Sequence, residues 1–240
     1  MSDCPDSVGT KQNKVITEED WRKSWVARKI GFHNADIHKL LSEFLGEMIN
    51  GREKLNILFP LCGKAVDMKW LADMGHNIVG VDVSEMAIKE FFEEQDVLYV
   101  EEAVESLPDA KLFKSTCGNI SLYCCSIYDL STSLLGKFDG IWDRGALVAV
   151  NPSDRERYVN VLLPLLKKDG RHLIVTVEYD ASIHPGPPFY VPDSDIERLF
   201  GSTCNFKLLK KVDALTDKHR SWGLNYFYEK LYLLTPKSHN

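Results

Sequence analysis

Residues 55–87 read LNILFPLCGKAVDMKWLADMGHNIVGVDVSEMA. An apolar run, Leu55–Phe59, enters a turn through Pro60, Leu61, Cys62 and Gly63. A helical pattern follows, with Val66, Leu71 and Met74 among its apolar positions, and Gly75-His76 stops it. A second apolar run, Ile78–Val83, carries Asp82 near its end. Strand, turn, helix and strand within about 30 residues make a βαβ unit.

Such a unit binds nucleosides in the crevice between the end of its first strand and the start of its helix. Asp82 lies 19 residues after Gly63, close to the glycine-loop-to-acid spacing of dinucleotide folds. An acid there can accept two ribose hydroxyls. The loop, however, has one glycine and no GxGxxG pattern. A pyrophosphate needs several close backbone approaches, so nicotinamide and flavin dinucleotides are disfavoured. A ligand with a ribose and no phosphate, such as S-adenosylmethionine (SAM), needs less. The plain alternative is an ordinary crossover whose Asp82 is merely solvated.

The chain has 240 residues, enough for one large α/β domain or two small ones. Its hydrophobic share of 44% and charged share of 27% are those of a globular protein. A net charge of −6 argues against a general nucleic-acid binder. No apolar run approaches the roughly 20 residues that span a bilayer, and residues 1–16 lack the apolar core of a signal peptide. A cytoplasmic monomer without a membrane partner is expected. None of the six cysteines forms a CxxC pair, so neither a metal site nor a disulfide framework is expected. Cys62 sits in the crevice loop, but no histidine is placed near it by sequence, and a structural role is expected.

Residues 1–16 offer little to bury and read as a disordered tail. Residues 17–240 read as one domain, with 17–50 as a helical lid. Thr17-Glu18-Glu19-Asp20 resembles a capping box. Trp21 and Trp25 follow on one helical face. They either pack as core or close over the crevice, where aromatic faces attract a cation such as a sulfonium. A second helix is expected over about Asp36–Ile49. Ser84 caps a helix of about Glu85–Gln95. Residues 97–114 read as charged and irregular. Phe113–Gly118 and Ile120–Cys125 read as short strands joined at Gly118-Asn119. Phe138–Trp142 is a strand that releases Asp143 and Arg144 at its end. A helix over Arg155–Lys168, ended by Lys167-Lys168-Asp169-Gly170, precedes a β-branched strand, Leu173–Val177. Tyr179–Pro192 holds four of the ten prolines and must be a shaped loop. A short helix, Asp193–Phe200, and an antiparallel pair, Phe206–Val212 with Leu224–Leu234, complete the chain. Alternating strands and helices imply a mostly parallel sheet with helices on both faces.

Four motifs carry a resemblance: Phe59-Pro-Leu-Cys-Gly-Lys64, Asp67 with Lys69-Trp70, Trp142-Asp-Arg-Gly-Ala146, and His184-Pro-Gly-Pro-Pro-Phe-Tyr-Val-Pro192. Together they resemble the thiopurine S-methyltransferase family from about Thr17 to Pro236. That resemblance implies a Rossmann-like class I SAM-dependent methyltransferase with a seven-stranded sheet. It implies S-methylation of aromatic and heterocyclic thiols, 6-mercaptopurine included. Trp21 and Trp25 would flank the cofactor, Leu61 would contact it through its main chain beside Gly63, and Asp82 would hold the ribose hydroxyls. Many relatives have Glu there, which keeps the carboxylate. Ser126 and Ile127 would sit at the adenine. Arg144 would lie near the methionine part and the acceptor, and Phe32 would pack on the substrate. Lys218 stands where relatives can have Arg, as a further acceptor contact.

Sulfur-to-sulfur methyl transfer starts from an activated electrophile, and a thiolate is a better nucleophile than a thiol. No dedicated base is therefore expected. Arg144, always charged, is expected to stabilise the acceptor electrostatically. Three other readings compete: a methyltransferase for chalcogen or halide acceptors, a non-catalytic SAM-binding module, and a nicotinamide dehydrogenase that lacks its phosphate loop.

Overall fold

The structure, a computed structural model, describes residues 15–238. Its centre is the quoted unit: β1 (Asn56–Pro60), α3 (Asp67–Asp73) and β2 (Asn77–Asp82). Ile57 and Phe59 point to one face of the sheet and Leu58 to the other. All three are buried, which is why the run is continuously apolar rather than alternating. β1 pairs in parallel with β2 on one side and with β6 (Phe138–Arg144) on the other. β2 pairs in parallel with β5 (Ile120–Cys124), and β6 with β7 (Leu166–Glu178). The five parallel strands therefore end along one edge, where such sheets bind ligands.

One face is covered by α2 (Lys39–Ile49), α3 and α4 (Glu85–Glu94), through Leu41, Met48, Met68, Leu71, Phe91 and Phe92. The other is covered by α6 (Arg155–Leu165) and α7 (Asp193–Phe200), through Tyr158, Leu162, Ile196 and Phe200. Gly140 lets α2 approach, since a Cβ there would lie 2.9 Å from Met48 Sδ. Cys124 joins one core and Cys125 the other. Cys62 is buried, and burial pushes its thiol well above the ordinary range, so it is not poised as a nucleophile. Among the described residues no cluster of side chains is suited to a metal, and no helix is long and apolar enough to cross a membrane.

The sheet has nine strands rather than seven, in the order β3-β4-β5-β2-β1-β6-β7-β9-β8. The expected antiparallel pair is present as β8 (Cys204–Asp213) and β9 (Tyr228–Pro236), with β9 beside β7. β4 (Lys111–Ser115) is the strand expected at Phe113–Gly118, shifted toward the N-terminus, and the strand not expected is β3 (Tyr99–Ala103). β3 lies in the segment read as irregular. Its YVEEA sequence is mostly exposed and is held by the backbone ladder to β4, so no apolar periodicity announces it.

Three boundaries also shift. α2 starts at Lys39 rather than Asp36, because His38 takes the N-cap position and gives its N–H to Asp67 Oδ1 at 2.8 Å. α6 stops at Leu165 rather than Lys168; Leu166 already pairs with Phe138, and Lys167 reaches Asp139 Oδ1 at 2.9 Å. Met74 is exposed past the end of α3 rather than apolar core. The capping box of α1 (Glu18–Val26) forms as read, with Thr17 and Asp20 exchanging bonds. Ile16 exchanges two hydrogen bonds of 2.9 Å with the Asn151 side chain, which ties the segment ahead of α1 to the turn before α6. The rest of the expected tail, 1–14, lies outside the described residues.

Asp143 explains why an acid precedes Arg144. Fully buried, it accepts from Leu147 N–H at 2.9 Å and from Tyr158 O–H at 2.7 Å. It fixes the turn after β6 and does not face a ligand. Asp143→Ala would leave the buried Tyr158 hydroxyl and a backbone N–H unpaired. The expected cost is about 3 kcal/mol or more, read as a lower midpoint in urea denaturation.

Candidate active site

At the end of β1 the chain turns back at Leu61, whose φ is +45°. A leucine in this region is strained, and such strain gathers at ligand sites. Cys62 N–H ties the loop to Val81 O at 2.9 Å. Gly63, φ +50°, lies directly under Trp25: a Cβ there would stand 2.9 Å from Trp25 Cζ2. Lys64, the cation of the loop, is not free for a phosphate. It is buried against Glu90 Oε2 at 2.8 Å and Glu94 Oε1 at 2.6 Å.

Asp82, 6% exposed, closes the crevice at the end of β2. Its Oδ2 accepts from Gly63 N–H and its Oδ1 from Ser84 N–H, each at 2.8 Å. Each oxygen keeps a second lone-pair direction, suited to a vicinal diol. Burial pushes this carboxyl up to about 6, against the pull of those N–H groups. The residues fit a ribose-bearing ligand without phosphates: one left-handed turn, one glycine, one diol-accepting acid.

The first helix spans this crevice and is tied down at several points. Ser126 Oγ donates to Glu18, Arg22 Nε donates to Val83 O at 3.2 Å, and Arg28 pairs with Glu90. Ser126 begins a one-turn 3-10 helix, and Ile127 beside it is buried. Trp21 and Trp25 both meet the Phe32 ring edge-on, with centroids 5.6 Å apart in each case. Trp25 is buried and Phe32 is 38% exposed. Trp25 therefore packs as core, and it does so against the Gly63 loop.

Two cations hold the strap that follows. Arg144 Nη1 donates to Phe32 O, and Lys218 Nζ donates to Gly31 O, both at 2.8 Å. Arg144 comes from the end of β6, and Lys218 from α8 (Asp217–Ser221). Burial lowers the Lys218 ammonium from its ordinary value, and Arg144 lowers it further. Behind them stacks an aromatic wall: His184 on Trp222 at 4.2 Å and His219 on Phe227 at 3.8 Å. Of the residues expected at the site, Trp21 and Trp25 meet Phe32, Gly63 meets Trp25 and Asp82, and Arg144 and Lys218 bind the Gly31–Phe32 main chain, whereas Ile127 is buried in the core.

Four partners, Glu18, His38, Asp67 and Glu229, were not singled out as site residues by sequence. Glu18 receives the Ser126 hydroxyl. Asp67 accepts from His38 N–H and from Trp142 Nε1 at 3.3 Å. Glu229 stands 3.5 Å from His38 Nε2. Asp67 was legible only within its motif; the others come together through tertiary packing, with no shared spacing in the sequence.

A sequence model of the thiopurine S-methyltransferase family matches residues 16–237. The chain is 54% identical over 237 residues to the thiopurine S-methyltransferase of Oryctolagus cuniculus, covering 99% of this chain and 96% of that one. It is 53% identical to that of Rattus norvegicus, covering 99% and 98%. Among solved structures, a SAM-dependent methyltransferase from Anabaena variabilis superposes with a TM-score of 0.64 at 14% identity, covering 95% of this chain and 98% of that one. A Burkholderia thailandensis 1,6-didemethyltoxoflavin-N1-methyltransferase, holding S-adenosylhomocysteine, gives 0.62 at 16% identity, covering 92% and 87%. These two likenesses are of fold: the class I SAM-dependent methyltransferase architecture. Matched by the family model over residues 16–237 and 54% identical to a curated member over 99% of its length, this chain belongs to the thiopurine S-methyltransferase family.

Proposed function

We propose that this protein transfers a methyl group from SAM to the sulfur of aromatic and heterocyclic thiols, thiopurines among them. One observation carries the reading: the aromatic strap at Phe32 lies between the crevice tryptophans and the cation Arg144. A flat, electron-rich acceptor matches that setting; a halide or a small inorganic acceptor has no use for it.

SAM supplies a methyl group already activated on a sulfonium. Asp82 would hold its ribose hydroxyls, with Leu61 and Gly63 offering main chain beside it. Ser126 and Ile127 would border the adenine. Trp21 and Trp25 would shield the sulfonium side from water, their faces favouring a cation. Arg144 would face both the methionine part and the acceptor, stabilising negative charge on the thiol sulfur as its proton leaves to solvent. Phe32 would stack on the acceptor ring, and Lys218 would add a second positive charge. Orientation alone is worth about 7–11 kcal/mol in favourable systems, so alignment and water exclusion are the main work of these residues.

Residues 17–50 form the lid of a single domain in this reading. Its ties at Ser126, Val83 and Glu90 support that role. The net charge of −6 supports a small-molecule acceptor rather than nucleic acid. We place the protein in the cytoplasm as a monomer, in keeping with its sequence. The test is S-adenosylhomocysteine titration by calorimetry with a 6-mercaptopurine assay on the same sample. Binding with methylation is the expected result; binding with no methylation across a thiol panel overturns the acceptor assignment.

A further inference from the structure

The lid helix α1 ends in a Schellman turn. Arg28 N–H bonds to Trp25 O at 3.0 Å, and Lys29 N–H bonds to Ser24 O at 2.9 Å. This turn puts Arg28 in the left-handed region, at φ +57°. Glycine is the usual resident of such a position, because it alone adopts that backbone without a Cβ clash. A side chain there is strained, and the strain persists only where surrounding contacts impose it. The Arg28 guanidinium reaches Glu90 Oε1 on α4.

Glu90 is a junction. Its other oxygen, Oε2, accepts from Lys64 Nζ at 2.8 Å, and Lys64 follows Gly63 in the cofactor loop. Glu94 accepts from the same ammonium at 2.6 Å. Burial works to raise the Glu90 carboxyl, but Lys64 and Arg28 hold it below its ordinary value, so it is ionised at neutral pH. The Glu90 side chain is 12% exposed, whereas that of Arg28 is 63% exposed. An ion pair between two exposed side chains contributes little, since both must be ordered. Here Lys64 already fixes the carboxylate, and the contact orders only the arginine. Along the chain, Arg28 lies between Trp25, packed on Gly63, and the Gly31–Phe32 main chain, bound by Lys218 and Arg144.

We propose that Arg28 is a positioning residue for methyl transfer, latching the end of the lid helix to the carboxylate that also braces the cofactor loop. Trp25 and Phe32, on either side of it in the chain, are thereby held over the crevice. Without the latch the lid must be ordered at each binding event, which costs affinity. The inference rests on the cofactor reading proposed above and goes further in naming what holds the lid to the loop.

The test is a series of variants at this position, read by S-adenosylhomocysteine calorimetry and by urea denaturation. Arg28→Gly and Arg28→Ala both lose the ion pair, but only glycine relieves the left-handed backbone. Both should bind about fivefold more weakly than wild type, while the urea midpoint of the glycine variant stays above that of the alanine variant. Arg28→Lys keeps a cation and the wild-type strain, and should recover most of the affinity. The KM for SAM should follow the affinities. Amide exchange over residues 18–32 of the S-adenosylhomocysteine complex should quicken in Arg28→Gly, with α4 unchanged. Affinities that follow the urea midpoints rather than the charge overturn the proposal, and so does unchanged exchange in the lid. Wild type that binds no S-adenosylhomocysteine overturns the cofactor reading itself, and the latch with it. Wild type that binds, with Arg28→Gly within about twofold of it, overturns the latch alone.

Discussion

Asp82→Ala is expected to bind S-adenosylhomocysteine about 10²- to 10⁴-fold more weakly than wild type, with two charge-assisted hydrogen bonds lost at about 1.5–3 kcal/mol each. No neighbour can take over. The carboxylate sits 6% exposed between the Gly63 and Ser84 N–H groups, and its removal also strips the glycine loop of its anchor. The same site predicts a pH dependence. The ligand needs the ionised carboxylate, and burial pushes the free protein's Asp82 carboxyl up to about 6. Affinity should be fully present well above that value and fall by up to about tenfold per unit below it, as a proton competes with the hydroxyls. Calorimetry between about pH 7.5 and about pH 5.5 reads the slope. Asp82→Asn should flatten it. A full-strength wild-type affinity at the acid end would remove Asp82 from the ribose.

Arg144→Gln is expected to lower kcat/KM for 6-mercaptopurine about 10²- to 10³-fold, the range seen when one charge-stabilising donor is taken from an active site. Two effects add. The sulfur loses its stabilising charge, and the Phe32 carbonyl loses the donor that fixes the strap. Glutamine can still donate to that carbonyl, so the charge is the larger part. The loss should be greatest for thiols of high pKa, which depend most on the cation to shed a proton. S-adenosylhomocysteine affinity should fall far less than turnover. Steady-state kinetics over acceptors of graded acidity measures this, and equal loss for all of them would point to the strap rather than the charge.

The elements found from sequence are those with local causes. The strand–turn–helix–strand unit follows from continuous apolar runs bounded by glycine, and the Thr17 and Ser84 caps from hydrogen bonds within three residues. Asp82 follows from its distance to the glycine loop. The missed elements answer to distant partners. β3 forms because β4 offers it a ladder, not because its own residues need burial. The C-terminal limit of α6 is set by Leu166 pairing with Phe138 in β6. A cationic helix end and the exposed start of a strand have the same local composition here: Lys167 and Lys168 open β7 instead of closing α6. The Arg144 surroundings mix both cases. The arginine was legible at a strand end, whereas His38, the N-cap of α2, and Glu229 of β9 come within 3.5 Å of each other only through the fold. No spacing rule joins positions so far apart in the chain.

The outermost strand has a consequence of another kind. Among the described residues nothing pairs with the far side of β3, so its backbone donors and acceptors invite a second chain. Leu98 just before it is 75% exposed, and Val100 is 47% exposed. Glu101 and Glu102 follow directly, one to each face, and only Glu101 is answered by a cation, Lys89 at 3.1 Å. Two such rims brought together would set carboxylates against carboxylates. The acidic pair that hid this strand from a pattern search thus guards the protein against edge-to-edge aggregation, a guard that acid would lift.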